Sequence, residues 1–270
     1  MTKVQELFDK ASWDYDDEKS LKLIKEEQPH CAFPDEIWKM LTVDSTDFNG
    51  RKILVPSSGD NFAVFAFSLL GSSVTSTDFN QNVLDDAKKR ANEHGLSNIE
   101  FINVDTMTLS GLPDNEYDLI FTSNGVYNCL NNIQAAHENF FRVLKPNGIY
   151  CFYENHPFYN SIEEEMDEEG INCKGTGKLS FVKEKYVTVN KIDSVHNFHT
   201  IEDYINSLLN AGFTITNYSD VKRSKDALPN LVYKTNTDFI VQPMLPVWIG
   251  ISAVKKCVND KRGQAVFATE

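Results

Sequence analysis

The chain has 270 residues, of which 41% are hydrophobic and 24% charged, and a formal net charge of -13 at pH 7. Such a length and apolar content fill one large core, or one core with an elaborated lid. The acidic balance argues against long-range attraction to nucleic acid or an anionic membrane, and suits small neutral or cationic ligands.

Residues 1–50 read as an N-terminal helical extension, with helical pieces at Val4 to Ala11, Glu18 to Glu27 and Pro34 to Leu41, the last with proline at its first position. Trp13, Tyr15, Phe33 and Trp38 give this extension apolar anchors, for packing on a sheet or for touching a ligand. Residues 51–157 read as a ligand-binding core. Lys52 to Val55 form an apolar strand, Pro56-Ser57-Ser58-Gly59 a tight turn of small residues, and Asn61 to Leu70 a helix that stops at Gly71. A second strand, Ser73 to Thr77, ends at Asp78. In doubly wound folds a carboxylate placed about 20 residues after the glycine turn accepts the ribose hydroxyls of an adenosine-containing ligand.

Asn80 is an N-cap type ahead of an amphipathic helix stopped by Gly95, and Ile99 to Val104 make the next strand. Asp105 follows at once, where it meets an adenine amine or serves as a loop acid. Tyr117 to Thr122 form the fourth strand and lead into the polar turn Ser123 to Tyr127. A helix from Ile133 to Leu144, a tight turn at Lys145-Pro146-Asn147-Gly148 and a strand from Ile149 to Glu154 follow. Residues 158–199 loosen into an insertion or lid with a small hairpin. Residues 200–270 return to regular structure, with a capping-box pattern at Thr200 and Asp203, a helix ending at Ala211-Gly212, and strands Phe213 to Tyr218 and Val247 to Val254. Together these pieces predict an α/β fold in one domain: a doubly wound, mostly parallel seven-stranded sheet flanked by helices.

The five cysteines, Cys31, Cys129, Cys151, Cys173 and Cys257, contain no C-x-x-C pair, so neither a disulfide framework nor a zinc site is indicated. No apolar run nears the ~20 residues of a membrane span. A soluble, cytoplasmic protein is the expectation. The turn selects among adenosine ligands, because the dinucleotide fingerprint would place glycines at Ser57, Gly59 and Phe62, and only Gly59 matches. A pyrophosphate there would also face the like charge of Asp60. S-adenosyl-L-methionine, phosphate-free and cationic at its reactive end, tolerates an acidic turn.

These segments resemble, over roughly residues 34–254, the Rossmann-like class of S-adenosylmethionine-dependent methyltransferases. The resemblance rests on ILVPSSGDN, VTSTDFN, FINVDTM, YDLIFTSNGVY and RVLKPNGIYCFYENHP in that order, and FHTIEDYINSLLNAGF is similar to the family's small-molecule branch. It implies cofactor contacts from Ser57, Gly59, Asp60, Asp78, Asp105, Thr106 and Asn124, no metal, and a small-molecule acceptor. Where the family has an acid and two further glycines, this chain has Val55, Ser57 and Asn61, which leaves Asp60 or Asn124 to meet the methionine amino group. The Asn-Pro-Pro-Tyr type of sequence of nucleic-acid amino-methylating enzymes is absent after the fourth strand.

Methyl transfer from a sulfonium is an in-line displacement that needs alignment and water exclusion more than a catalytic triad. His156 and His199 are the candidate general bases, each with a structural alternative as a turn or helix-start residue. Tyr127 and Tyr153 read as acceptor-pocket or core residues, Glu154 as a partner for a base or a cationic acceptor, and His30, His94, His137 and His196 as incidental. Two other functions fit the same residues: a non-catalytic S-adenosylmethionine-binding regulatory protein, and an NAD-dependent oxidoreductase.

Overall fold

The computed structural model describes residues 29–59, 61–157, 162–167, 170–175, 184–189, 192–197, 199–221, 233–234, 246 and 248–256. The helices expected at Val4 to Ala11 and Glu18 to Glu27, with Trp13 and Tyr15, lie outside these residues, as does Asp60.

A 3-10 turn, Pro29–Ala32, leads into α1 (Asp35–Leu41). Pro34 stands before the first helical residue rather than at it, because its ψ of 146° holds it extended. Strand β1 (Lys52–Val55) feeds α2 (Phe62–Leu69), β2 (Ser73–Asp78), α3 (Gln81–Glu93) and β3 (Ile99–Asn103). Asn80 caps α3 as expected, accepting the N–H groups of Asn82 and Val83. Then come β4 (Tyr117–Thr122), a single-turn helix α4 (Val126–Cys129), α5 (Ile133–Val143) and β5 (Leu144–Asn155).

After β5 the chain forms two antiparallel ribbons, β6 (Ile162–Asp167) with β7 (Gly170–Gly175) and β8 (Glu184–Val189) with β9 (Ile192–Asn197). Helix α6 (Ile201–Asn210) starts from the anticipated capping box of Thr200 and Asp203. It precedes β10 (Thr214–Val221), the short β11 (Tyr233–Lys234) paired with β7, and β12 (Trp248–Val254).

The main sheet has the order β3-β2-β1-β4-β5-β12-β10. Strands β1 to β5 pair in parallel, and β12 runs antiparallel to both β5 and β10. The seven-stranded, doubly wound sheet read from the sequence is therefore present. Its central strands are apolar on both sides, Ile53, Leu54 and Val55 being fully buried, because helices cover both faces. On one face Phe33 and Trp38 stack together and pack with Phe48, Phe67 and Phe121, which makes those two aromatics core residues. On the other face Phe140, Tyr150, Phe152 and Tyr204 fill the space under α5 and α6.

The tight turn at Lys145 to Gly148 is absorbed into β5. The register jumps from Tyr117 opposite Leu144 to Leu119 opposite Ile149, and Asn147 takes a φ of 63° to make the detour. Lys255, past the end of β12, locks this detour: its carbonyl accepts the N–H of Asn147 at 2.7 Å, and its N–H donates to Gly148 at 3.1 Å. Its buried ammonium donates to Asn115 Oδ1 and to the Leu144 carbonyl, each at 2.8 Å, and lies 4.9 Å from the centre of the Phe141 ring.

Replacing Lys255 with methionine keeps the apolar stem and deletes these charge-assisted bonds. We expect a stability loss of about 2–4 kcal/mol, read as a lower urea midpoint with an unchanged slope; an unchanged midpoint would remove the clamp from the account.

Candidate functional site

β1 and β4 are neighbours whose outgoing chains leave toward opposite faces of the sheet, and in such folds a crevice opens beyond their carboxyl ends. A cavity of about 350 Å³ occupies that place, with Ser57, Gly59, Asp78, Phe79, Ser123 and Asn124 in its wall. That is the lower part of the ~300–1,000 Å³ range of small-molecule sites. Among the described residues its wall holds no lysine, arginine or histidine, and Asp78 is its one carboxylate.

The turn after β1 owes its shape to two residues in the left-handed region, Ser57 at φ 45° and Gly59 at φ 50°. For Ser57 that conformation costs roughly 1–2 kcal/mol. Its hydroxyl is held 2.6 Å from that of Thr106, and the Ser58 hydroxyl lies 2.8 Å from that of Ser76. Asn61, one of the departures from the family pattern, caps α2: its side chain accepts the Ala63 N–H at 2.9 Å and donates to Ser123 Oγ at 2.7 Å. It thereby ties the first turn to the turn after β4. The signal was present in the sequence, since Asn directly before an apolar helix is an N-cap.

Asp78 is buried, and its oxygens accept backbone N–H groups from Gly59 at 3.0 Å and Asn80 at 2.9 Å, with the Phe79 N–H also acting on the carboxylate. Burial pushes its pKa above the ordinary carboxylate value, and the backbone donors pull it partly back. The carboxylate lone pairs left over are open to a ligand hydroxyl.

The turn after β4 depends on Glu154, which is fully buried at the end of β5. Oε1 accepts the N–H groups of Gly125 at 2.7 Å and Asn155 at 2.8 Å, and Oε2 accepts that of Tyr127 at 3.0 Å. Gly125, at φ 95°, supplies the left-handed bend that points these groups at the carboxylate. Burial raises the Glu154 pKa from 4.5 to about 7, against the lowering effect of the three N–H donors. The folded protein thus holds this proton more tightly than the unfolded chain, so the contribution of Glu154 to stability declines as pH rises from 4.5 to about 7.

Ser57, Gly59, Asp78 and Asn124 come together in the wall. Thr106 is buried behind it on Ser57, whereas Asp105 is exposed outside it, its Oδ1 accepting the Met107 N–H. His156 and His199 are not wall residues either. His156 is buried with Nε2 3.5 Å from Asp220 Oδ1, and desolvation lowers its pKa. Nε2 of His199 faces the carbonyls of Tyr127 and Leu130 at 3.2 and 3.1 Å, so that atom carries the hydrogen.

His137 and Tyr127 are core residues of one polar chain. Ser207 donates to the Asp203 carbonyl at 2.6 Å and so accepts from His137 Nδ1 at 2.8 Å. His137 Nε2 then accepts from Tyr127 at 2.7 Å, Tyr127 from Tyr150, and Tyr150 from Thr122 at 2.8 Å. Burial lowers the His137 pKa to about 3, consistent with a neutral ring in this chain.

The sequence profile of the ubiE/COQ5 methyltransferase family matches residues 1–225. The chain belongs to that family. It is 30% identical over 160 residues to the demethylmenaquinone methyltransferase of Lactococcus lactis, covering 57% of this chain and 60% of that one. It is 25% identical over 160 residues to the sterol 24-C-methyltransferase ERG6A of Gibberella zeae, covering 59% of this chain and 38% of that one. The chain thus spans less than two thirds of the length of either relative. An S-adenosylmethionine-dependent methyltransferase from Mesorhizobium loti shares the fold, with a TM-score of 0.61 at 17% identity over 81% of this chain and 96% of that one. In this ubiE/COQ5 family member the post-β1 turn is left-handed at Ser57 and Gly59, whereas Asn61, at φ -60°, is extended ahead of α2, a conformation open to any residue.

Asn61→Ala removes the α2 cap and the link to Ser123. It should cost about 1–2 kcal/mol in chemical denaturation; a change within error would show that the two turns are not coupled through this side chain.

Proposed function

We propose that this chain transfers the methyl group of S-adenosyl-L-methionine to a small-molecule acceptor. The observation that carries this reading is Asp78: a buried carboxylate at the end of β2, already ordered by Gly59 and Asn80, in the wall of a cavity at the topological switch point. Ribose hydroxyls fit its remaining lone pairs, Phe79 and Val83 offer apolar surface for adenine, and the hydroxyl and amide groups of Ser57, Ser123 and Asn124 suit the methionyl end. Asp60 or Asn124 remains the proposed amino-group contact, and Asp105 the proposed adenine-side acid.

Among the described residues the wall holds no cationic side chain, which favours an acceptor without phosphate or carboxylate, in keeping with the quinone and sterol named for the relatives. His156 and His199 remain the proposed general bases. Nε2 of His156 lies 3.5 Å from a carboxylate and Nε2 of His199 is committed to backbone carbonyls, so the former is the stronger proposal. An NAD-dependent oxidoreductase fits less well, since the Asn61 side chain already takes an N–H at the start of α2 that a pyrophosphate would need. Regulatory binding without turnover is the second reading, favoured by the serine and asparagine at the family's glycine positions.

We read the chain as one domain with an N-terminal extension (1–50), a cofactor-binding core (51–157), an insertion (158–199) and a C-terminal part of the sheet (200–270). A reducing cytoplasmic setting fits Cys129 and Cys151, which are free thiols. Among the described residues no helix is long and apolar enough to cross a membrane. The net charge of -13 argues against a nucleic-acid partner.

Asp78→Asn keeps one oxygen for the turn and is the cleanest variant, since the Asp78 side chain also holds backbone that alanine would release. Calorimetry should show adenosylmethionine binding weakened by about 2–4 kcal/mol, roughly 30- to 1,000-fold. Because burial raises the Asp78 pKa, wild-type affinity should fall on acidification at a higher pH than for an ordinary carboxylate. Wild-type affinity in the variant would place the cofactor elsewhere. His156→Ala should retain binding and lose turnover most above the lowered pKa of His156, where the wild-type imidazole is neutral and can accept a proton, with the two proteins converging as acidification protonates the wild-type ring; equal turnover of the two at every pH would end its candidacy.

A further inference from the structure

A fully buried carboxylate that becomes harder to ionise on folding costs stability, and among the described residues no lysine, arginine or histidine belongs to the groups that set the titration of Glu154. The ionisable side chains that feel its charge are Tyr127, Cys129, Tyr150 and Tyr204, all weak acids pushed upward in part by it. Its partners are instead backbone N–H groups. Two of them, Gly125 and Tyr127, belong to the chain leaving β4, and the third, Asn155, to its own strand. Ser123, Asn124, Gly125 and Val126 wall the cavity on this side, so the geometry of that wall follows from where Glu154 holds Gly125 and Tyr127.

We propose that Glu154 is the positioning residue of the pocket, fixing the Ser123–Val126 wall by accepting backbone hydrogen bonds from both sides of Val126. The ionised form accepts all three N–H groups without carrying a hydrogen of its own, whereas the protonated form must place a hydrogen on one oxygen and weakens its hold there. The wall is therefore set by the charge state of one buried group that does not itself line the cavity. The consequence for the methyl donor rests on the proposed function; the hold on the wall does not.

The test uses the full chain and two readouts. In amide NMR across neutral pH, the Gly125, Tyr127 and Asn155 resonances should titrate together with one midpoint, and in Glu154→Gln this shared titration should vanish while amides on β1 to β3 stay in place. Calorimetry with S-adenosylmethionine should show Glu154→Gln binding at least about tenfold more weakly, with the wild-type decline in affinity near pH 7 missing in the variant, which keeps only the decline at lower pH that belongs to Asp78. Glutamine fills the same space, so a merely space-filling role predicts unchanged affinity. Unmoved amides, or wild-type affinity in the variant, would overturn the proposal. The wild-type titration decides the matter by itself should the variant not fold. Shared titration in a wild type that binds no adenosylmethionine would leave the hold on the wall standing and remove the proposed cofactor.

Discussion

The carboxylate of Asp78 takes one backbone N–H from each of two turns, Gly59 after β1 and Asn80 after β2, and the pocket is built outward from that pair of bonds. Neither turn is regular structure, and each is held at the cavity by a carboxylate that the sheet has buried. The cost of burying Asp78 is offset by N–H donors that would otherwise lack partners. Glu154 repeats the arrangement at the end of β5, with backbone donors Gly125, Tyr127 and Asn155. Two strand-end carboxylates thus organise loop backbone, and side chains from those loops face the cavity.

The same economy explains how this ubiE/COQ5 family member keeps a glycine-type turn with few glycines. Ser57 stays left-handed because its hydroxyl pairs with Thr106, and Asn61 turns a glycine position into a helix cap that also reaches Ser123. Substitution here exchanges conformational freedom for specific hydrogen bonds. Both side chains are hydrogen-bonded in place beside the cavity, which is the reason to treat these departures as compatible with a pocket there.

What was legible in the sequence is what local pattern determines. The apolar strands β1, β2 and β4, the caps at Asn80 and Thr200, and the strand-end position of Asp78 all follow from residue order over short distances. The Lys145 to Gly148 segment misled because its turn residues build a detour inside β5, and the partner that stabilises it, Lys255, stands far along the chain. His137 looked incidental for the same reason: its partners Tyr127 and Ser207 are separated from it by 10 and 70 residues. Glu154 reads in the sequence as a partner for a base or a cationic acceptor, because its three backbone donors carry no side-chain signature. Asp105 shows the converse, an acid in the anticipated place whose side chain caps its own loop at Met107.

The most direct measurement of the central claim is a crystal structure of the protein with S-adenosylhomocysteine at saturating concentration. The account predicts ribose hydroxyls within about 2.5–3.0 Å of the Asp78 oxygens, with the homocysteine end toward Ser57 and Ser123. Ligand density away from Asp78, or an empty switch-point cavity beside an otherwise unchanged fold, would contradict it.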